Sequence, residues 1–188
     1  MKKTIVNSTA LFVIALSLMA SVARAGLLDY LPSFGDDSPD MLVITANYAK
    51  PRLLAELLQL KKDHPILLIS PEQNGDQIFY MPEYPDARLI PNDKLIDFLA
   101  VLSPKQIVIL GDENYVPTSY VKTIRNRYPL VLITGEDWIK NAKALADTAD
   151  YPKLVDRYRE YLGQLLDEQI KRAGGGQTVN MEERLMVP

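Results

Sequence analysis

Residues 107–146 read IVILGDENYVPTSYVKTIRNRYPLVLITGEDWIKNAKALA, and this stretch decides the fold. Two continuous apolar runs, at 107–110 and 130–133, are each followed by a glycine and then by residues at helical spacing. Short aliphatic runs of this kind are typical of strands that are buried on both faces of a parallel sheet. The stretch therefore predicts a strand–helix–strand unit of an α/β domain.

The same pattern occurs earlier in the chain. MLVIT at 41–45 and ILLI at 66–69 predict two further buried strands, separated by an amphipathic helix over 50–63. Shorter strands are predicted at 78–81 and 88–90, and helices at 93–102 (with Asn92 as the N-cap), 117–127 and 136–146. The predicted fold class is α/β, a mostly parallel sheet flanked by helices with Rossmann-like or flavodoxin-like layering.

The first 25 residues have the three parts of a secretory signal peptide. Lys2 and Lys3 precede an apolar segment at 10–20, and Ala23-Arg24-Ala25 is a small-x-small cleavage site. The apolar segment is shorter than the roughly 20 residues that span a bilayer. We therefore expect an exported protein, periplasmic or extracellular, with no membrane insertion after signal cleavage.

The rest of the chain divides into four segments. We expect an irregular lead-in at 26–40, the α/β domain at 41–146, a C-terminal amphipathic helix at 150–172 and a disordered tail at 173–188. The apolar stripe of the C-terminal helix has two interpretations. It packs on the sheet of its own chain, or it forms a homo-oligomer through 152–172.

Composition and charge narrow the class of partner. The chain has no cysteine, which rules out disulfides and a lipoprotein anchor. Loss of the signal peptide leaves 18 of the 21 basic residues against 24 acidic residues. Nucleic acid and anionic lipid both call for basic patches, so neither is expected as a partner.

Catalytic and cofactor motifs are lacking. His64 is the only histidine, there is no G-x-S-x-G motif, and no glycine-rich loop follows a predicted strand. We therefore expect no cofactor and no metal. The pairs Asp112-Glu113 and Glu136-Asp137 could serve a glycosidase, but acids are also favoured at a helix start, where Glu136 and Asp137 lie. The second interpretation is preferred, and the chain is predicted not to be an enzyme.

The predicted strand ends supply a candidate binding site. In open parallel sheets, ligands bind beyond the carboxyl ends of the strands. The polar and aromatic residues at these ends are Asn47, Tyr48, Asp112, Asn114, Tyr115, Asp137 and Trp138. Trp138 either stacks on a ligand or belongs to the core, because a lone tryptophan is usually largely buried.

Residues 41–146 resemble the cell-wall-binding repeat type 2 of surface-layer and wall-anchored proteins from Gram-positive bacteria. The resemblance is carried by Ile109-Leu110-Gly111, by Pro65-Ile66-Leu67-Leu68 and by GEDWIKNA at 135–142. Trp138, Ile139 and Asn141 replace the arginine, tyrosine and threonine of the family pattern, and Asp112 replaces its second glycine. The resemblance implies an α/β fold and a non-catalytic, glycan-binding role.

These observations give three hypotheses for the function. The first is an exported envelope binding module that recognises cell-wall or surface polysaccharide. The second is a protein-binding subunit of a larger periplasmic or extracellular assembly, with an envelope protein as its partner. The third is a glycan-active enzyme.

The signal-peptide interpretation predicts where the exported chain begins. Ala23 and Ala25 fit the small side-chain pockets of the signal peptidase, so cleavage is expected after Ala25. N-terminal sequencing of the exported protein should then read Gly-Leu-Leu from Gly26. An exported protein that still carries Met1 would contradict the prediction.

Overall fold

A computed structural model describes residues 38–73 and 75–173. The predicted signal peptide, most of the predicted lead-in and almost all of the predicted tail lie outside the described residues.

Strands and helices alternate through the described residues, as expected for an α/β domain. The elements are β1 (Met41–Ala46), α1 (Ala49–Lys62), β2 (Ile66–Ser70), β3 (Gln77–Met81), β4 (Arg88–Ile90), α2 (Leu95–Leu102, preceded by a 3₁₀ turn at Asn92–Lys94), β5 (Gln106–Leu110), α3 (Thr118–Arg125), β6 (Leu130–Ile133), α4 (Trp138–Thr148) and α5 (Leu154–Ala173). The predicted α/β class and the C-terminal helix are confirmed.

The strands form one six-stranded sheet in the order β4-β3-β2-β1-β5-β6. Strands β2, β1, β5 and β6 run parallel to one another. Strands β3 and β4 extend the sheet antiparallel beyond β2. The sheet is therefore mostly parallel, with its antiparallel part at one edge.

Helices cover both faces of the sheet. Helix α1 connects β1 to β2 in one direction across the sheet, and α3 connects β5 to β6 in the opposite direction. Because both crossovers between parallel strands are right-handed, α1 and α3 lie on opposite faces. Helices α4 and α5 pack with α1 over the first face. On the second face the Phe98 ring of α2 meets Tyr80 of β3 edge to face, with 4.8 Å between ring centroids.

The strands at the centre of the sheet are buried on both faces. Every residue of β1 is buried, and the last four residues of β5 are also buried. The first-face core combines strand and helix side chains, which include Met41, Val43, Leu54, Leu58, Ile66, Leu68, Val108, Leu110, Leu145 and Tyr158. The predicted double burial of the runs at 41–45, 66–69 and 107–110 is confirmed.

The expectation of double burial at 130–133 is wrong. Strand β6 lies at the edge of the sheet. Val131 is only half-buried, and Leu132, on the second face, is 39% exposed. The run is as apolar as the others, but it has only one strand neighbour among the described residues.

The predicted N-cap at Asn92 is also wrong. Pro91 occupies the cap position of the 3₁₀ turn, and Asn92 makes no capping hydrogen bond. Its side-chain amide instead donates to the backbone oxygen of Asp76, in the loop before β3. The asparagine is the first residue of the 3₁₀ turn, and its side chain links this turn to the loop before β3.

Helix α5 packs on its own domain through its first half. Leu154 and Tyr158 are fully buried in the first-face core, and Val155 and Leu162 pack against that core. Whether the helix also forms a homo-oligomer through 152–172 stays a prediction. None of the helices in the described ranges has the length and apolar character needed to cross a membrane.

The contrast between central and edge strands predicts graded stability losses. Val108→Asp places a carboxylate in a fully buried position, and we expect it to cost at least about 4 kcal/mol of unfolding free energy. Val131→Asp is expected to cost less, because Val131 is half-buried. Leu89→Asp on β4, where the side chain is 51% exposed, should stay within about 1 kcal/mol. Denaturant unfolding of the three variants checks this order, and equal losses would contradict it.

Candidate functional site

The candidate site lies where the sheet changes its direction of winding. The chain leaves β1 to form β2 on one side, and β5 later pairs with the other side of β1. The carboxyl ends of β1 and β5 are therefore neighbours at a topological switch point, where ligands of open α/β sheets bind. The loops at 47–48, 111–116 and 134–138 follow β1, β5 and β6 at this end of the sheet, and we call them the rim.

Three aromatic side chains contact one another along the rim. The rings of Tyr48 and Tyr115 meet at an interplanar angle of 85°, with 5.8 Å between centroids. Tyr115 also meets Trp138 at 78° and 5.1 Å. Edge-to-face pairs of this kind contribute about 0.5–1.5 kcal/mol beyond their buried area. The three loops of the rim are thus joined by one continuous aromatic cluster.

The members of the cluster differ in exposure. Tyr48 and Tyr115 are half-buried, whereas Trp138 is only 6% exposed and belongs to the first-face core. Its burial matches the core role that the sequence left open. Trp138 packs against Tyr115 from the side of the core. The two tyrosines provide the aromatic surface of the rim.

Gly111 allows Tyr115 to sit close to the end of β5. Its φ of +105° is a conformation that side chains rarely adopt. A Cβ atom on Gly111 would lie 2.5 Å from the Cβ of Tyr115, far inside van der Waals contact. The glycine after the strand was part of the predicted turn, but its contact with Tyr115 was not predicted.

Asp112 shapes the loop that carries Tyr115. Its carboxylate Oδ1 accepts from the backbone N–H of Asn114 at 2.9 Å, and its backbone oxygen accepts from those of Tyr115 and Val116. The Thr45 hydroxyl, fully buried on β1, donates to the Leu110 carbonyl at 2.8 Å and holds the start of this loop to the neighbouring strand. The Asn114 side chain, by contrast, is exposed.

Asn47 is turned into the protein. It is buried, its N–H donates to the Ile69 carbonyl at 2.8 Å, and its Oδ1 accepts from Arg52 Nη1 at 3.0 Å. Arg52 also pairs with Glu56 at 2.7 Å. These contacts tie the end of β1 to β2 and to the first turns of α1. Asn47 therefore positions the neighbouring Tyr48 rather than presenting its own amide at the surface.

Asp137 is the N-cap of α4. Its Oδ1 accepts from the N–H groups of Ile139 and Lys140 at 3.0 and 3.1 Å. The buried Asn141 amide donates to the Gly135 carbonyl at 2.9 Å and fixes the turn before the cap. Both contacts orient the start of the helix that carries Trp138. Side-chain caps of this type typically contribute about 1 kcal/mol.

Tyr158 was not predicted to belong to the site. Its hydroxyl donates to the carbonyl of Lys50, in the first turn of α1, at 3.2 Å. Burial raises the pKa of the Tyr158 hydroxyl well above its usual range, and the nearby Tyr115 raises this pKa by a smaller amount. The sequence placed Tyr158 on the apolar stripe of α5, and no local signal shows a contact across 108 residues. Tyr158 thus ties α5 to the first turn of α1, two residues after Tyr48.

The geometry favours a structural role for two of the four rim acids. Asp112 and Asp137 each use a carboxylate oxygen to hold backbone N–H groups. Glu113 and Glu136 are exposed. Within residues 38–73 and 75–173, no group of three or more histidine, cysteine or acidic side chains is arranged to hold a metal ion.

His64 lies at the end of the sheet opposite to the rim. It precedes Pro65, whose carbonyl accepts from Val43 at the start of β1. Burial lowers the pKa of its imidazole, and the nearby Asp40 carboxylate opposes this effect only in part. His64 is therefore remote from the aromatic cluster.

Of the seven residues predicted for the site, Tyr48, Tyr115 and Trp138 make direct contact with one another. Asp112 and Asn114 share the loop that carries Tyr115, and Asp137 precedes Trp138. Comparison with models of known protein families finds no match for the chain, and comparison with curated proteins finds none either. The resemblance to the cell-wall-binding repeat stays a prediction.

The packing at Gly111 predicts a graded response to alanine. Gly111→Ala combines a strained φ with a clash against Tyr115, whereas Gly75→Ala has a similar φ of +112° and open space. We expect a cost of about 1–3 kcal/mol for Gly75→Ala and a larger cost for Gly111→Ala. Gly163→Ala, in α5 with nothing nearby, should stabilise by about 0.5–1 kcal/mol.

Near-ultraviolet circular dichroism separates the clash from the strain. Trp138 is the only tryptophan of the chain and contacts Tyr115, so displacement of Tyr115 should change its signal. We expect the change in Gly111→Ala and not in Gly75→Ala. Equal stability and equal spectra for the two variants would show that the contact between Gly111 and Tyr115 is unimportant.

Proposed function

We propose that this chain is an exported, non-catalytic binding module of the cell envelope that recognises cell-wall or surface polysaccharide at the rim. The observation that carries the proposal is the contact between Tyr48 and Tyr115 across the switch point. Two half-buried aromatic rings at this position leave ring surface accessible at the place where ligands of open α/β sheets bind.

The side chains around the tyrosines suit a ligand rich in hydroxyl groups. Asn114 is exposed and offers two donors and an acceptor, and one oxygen of Asp112 is not used by the loop hydrogen bond to Asn114. An aromatic ring can cover the apolar face of a sugar while amide and carboxylate groups bind its hydroxyls. This combination supports a glycan as the ligand.

The rim is also held in place before any ligand arrives. Gly111, Asp112 and Thr45 fix the position of Tyr115. Asn47, the residue before Tyr48, is held by hydrogen bonds to Ile69 and Arg52. Preorganised side chains lose less conformational entropy on binding. The half-buried rings therefore suit a binding surface that changes little when the ligand docks.

A protein-binding subunit of a larger envelope assembly is the second candidate. One observation favours it. Helix α5 exposes two large apolar side chains, Tyr161 at 42% and Ile170 at 63%. Large apolar side chains at the surface of a helix suit a protein partner better than a polysaccharide.

Binding to isolated envelope fractions tests the proposal. We expect the chain to co-sediment with intact fractions and to lose binding when polysaccharide has been stripped. Tyr48→Ala and Tyr115→Ala should each weaken binding about tenfold, which corresponds to about 1.4 kcal/mol. Tyr161→Ala is the matched control, because it removes an exposed tyrosine outside the rim.

The outcomes separate the two candidates. Normal binding by both rim variants would contradict the glycan site at the rim. Binding that survives stripping of polysaccharide but is lost in Tyr161→Ala would support the protein-binding subunit. Thermal melts confirm that each variant is folded before its binding is compared.

A further inference from the structure

The two edges of the sheet differ in how well they are protected. Strand β4 has only three residues, and its first residue, Arg88, forms an ion pair with Asp86 at 2.9 Å. Pro85 and Pro91 lie on either side of it. Short strands, charges and prolines are the features by which proteins prevent an edge from pairing with another chain.

Strand β6, at the other edge, has fewer of these features: it is four residues long and follows Pro129, but no proline comes directly after it. It reads Leu-Val-Leu-Ile, with no charged residue and no proline inside the strand. Ile107 N–H donates to the Pro129 carbonyl and Gly111 N–H to the Ile133 carbonyl, so the odd-numbered residues face β5. Because a parallel ladder alternates, Leu130 and Leu132 direct their N–H and C=O groups away from the sheet.

The side chains of the β6 edge are accessible as well. Leu132 is 39% exposed, and Leu130 and Val131 are half-buried. In the described part of the chain, no strand pairs with β6 on its outer side. This edge therefore offers both unpaired backbone groups and an apolar surface.

The charges around β6 are arranged for pairing with a copy of itself. Arg127 lies three positions before the strand and Glu136 three positions after it, and both side chains are exposed. If two β6 strands pair antiparallel, each arginine comes to the end of the strand pair that carries the glutamate of the other copy. A parallel pair would instead place like charges side by side, which is unfavourable.

We propose that β6 pairs antiparallel with β6 of a second copy of this chain, about a two-fold axis near Leu132. The pairing joins two six-stranded sheets into one continuous sheet. It satisfies the outward N–H and C=O groups of Leu130 and Leu132 and covers the Leu132 side chain with its own counterpart. The proposal does not depend on the function of the rim. In such a dimer the two rims point in opposite directions.

The oligomeric state in solution is the first test. Sedimentation equilibrium of the chain without its signal peptide should give the mass of a dimer. Leu132→Lys places a charge on the edge, and we expect it to raise the dimer dissociation constant at least tenfold. Leu89→Lys changes an exposed leucine on the protected β4 edge in the same way, so it is the matched control and should leave the dimer intact.

A cross-link reports the location of the contact directly. The chain has no cysteine, so Leu132→Cys introduces the only thiol. Under mild oxidation it should form a disulfide-linked dimer, because residues near the axis of an antiparallel pair lie within disulfide distance. The cross-linked dimer is detected on a non-reducing denaturing gel, on which Leu89→Cys should run as a monomer.

Charge exchange tests the orientation. Arg127→Glu and Glu136→Lys should each weaken the dimer, and the double variant should restore it. A chain that remains monomeric at 100 μM, on the order of 10⁻⁴ M, would overturn the proposal. So would a dimer that is lost in Ile170→Lys but unchanged in Leu132→Lys, since that result would place the contact on α5.

Discussion

The burial of β1 on both faces, with a parallel strand paired on each side, is the constraint on which the rest of the structure depends. All six of its residues are buried, so both faces of the sheet need helices and both edges of the strand need partners. Helix α1 follows β1 directly and covers one face. The remaining elements complete the second face and the far side of the strand. The position of β1 also creates the switch point, because the chain must leave it toward β2 and later return beside it as β5.

The rim follows from this arrangement through a few short-range contacts. Thr45 on β1 holds the Leu110 carbonyl of β5, and Gly111 then lets the chain turn closely enough for Tyr115 to reach Tyr48. Each contact depends on the previous one. The surface that we propose for glycan binding is thus built on the most buried part of the sheet, although its aromatic rings lie at the boundary with solvent. Such a base limits how far the two tyrosines can separate.

Much of the fold could be predicted because burial leaves a local pattern. Runs such as MLVIT and IVIL indicate strands covered on both faces, and the structure has them at the centre of the sheet. The run LVLI has the same composition, yet β6 lies at an edge, because apolar character does not encode the order of strands. At the site, the rule that ligands bind beyond the carboxyl ends of parallel strands predicted Tyr48 and Tyr115 as neighbours, and their rings are in contact. The buried position of the Asn47 side chain depends on a hydrogen bond from Arg52, five residues later, and no motif in the sequence indicates this bond. The hydrogen bond between Tyr158 and Lys50 spans 108 residues, so no local pattern predicts it.

The long separations between paired segments have a consequence for how the chain is made. The bond between Thr45 and Leu110 spans 65 residues, and that between Tyr158 and Lys50 spans 108. Contacts this distant form only after loop-closure entropy has been overcome, which slows folding. The first-face core lacks Tyr158 until α5 has been synthesised, so this core cannot be complete before the end of the domain is made. If the chain is exported, as we propose, slow folding would help it to remain unfolded until it has crossed the membrane.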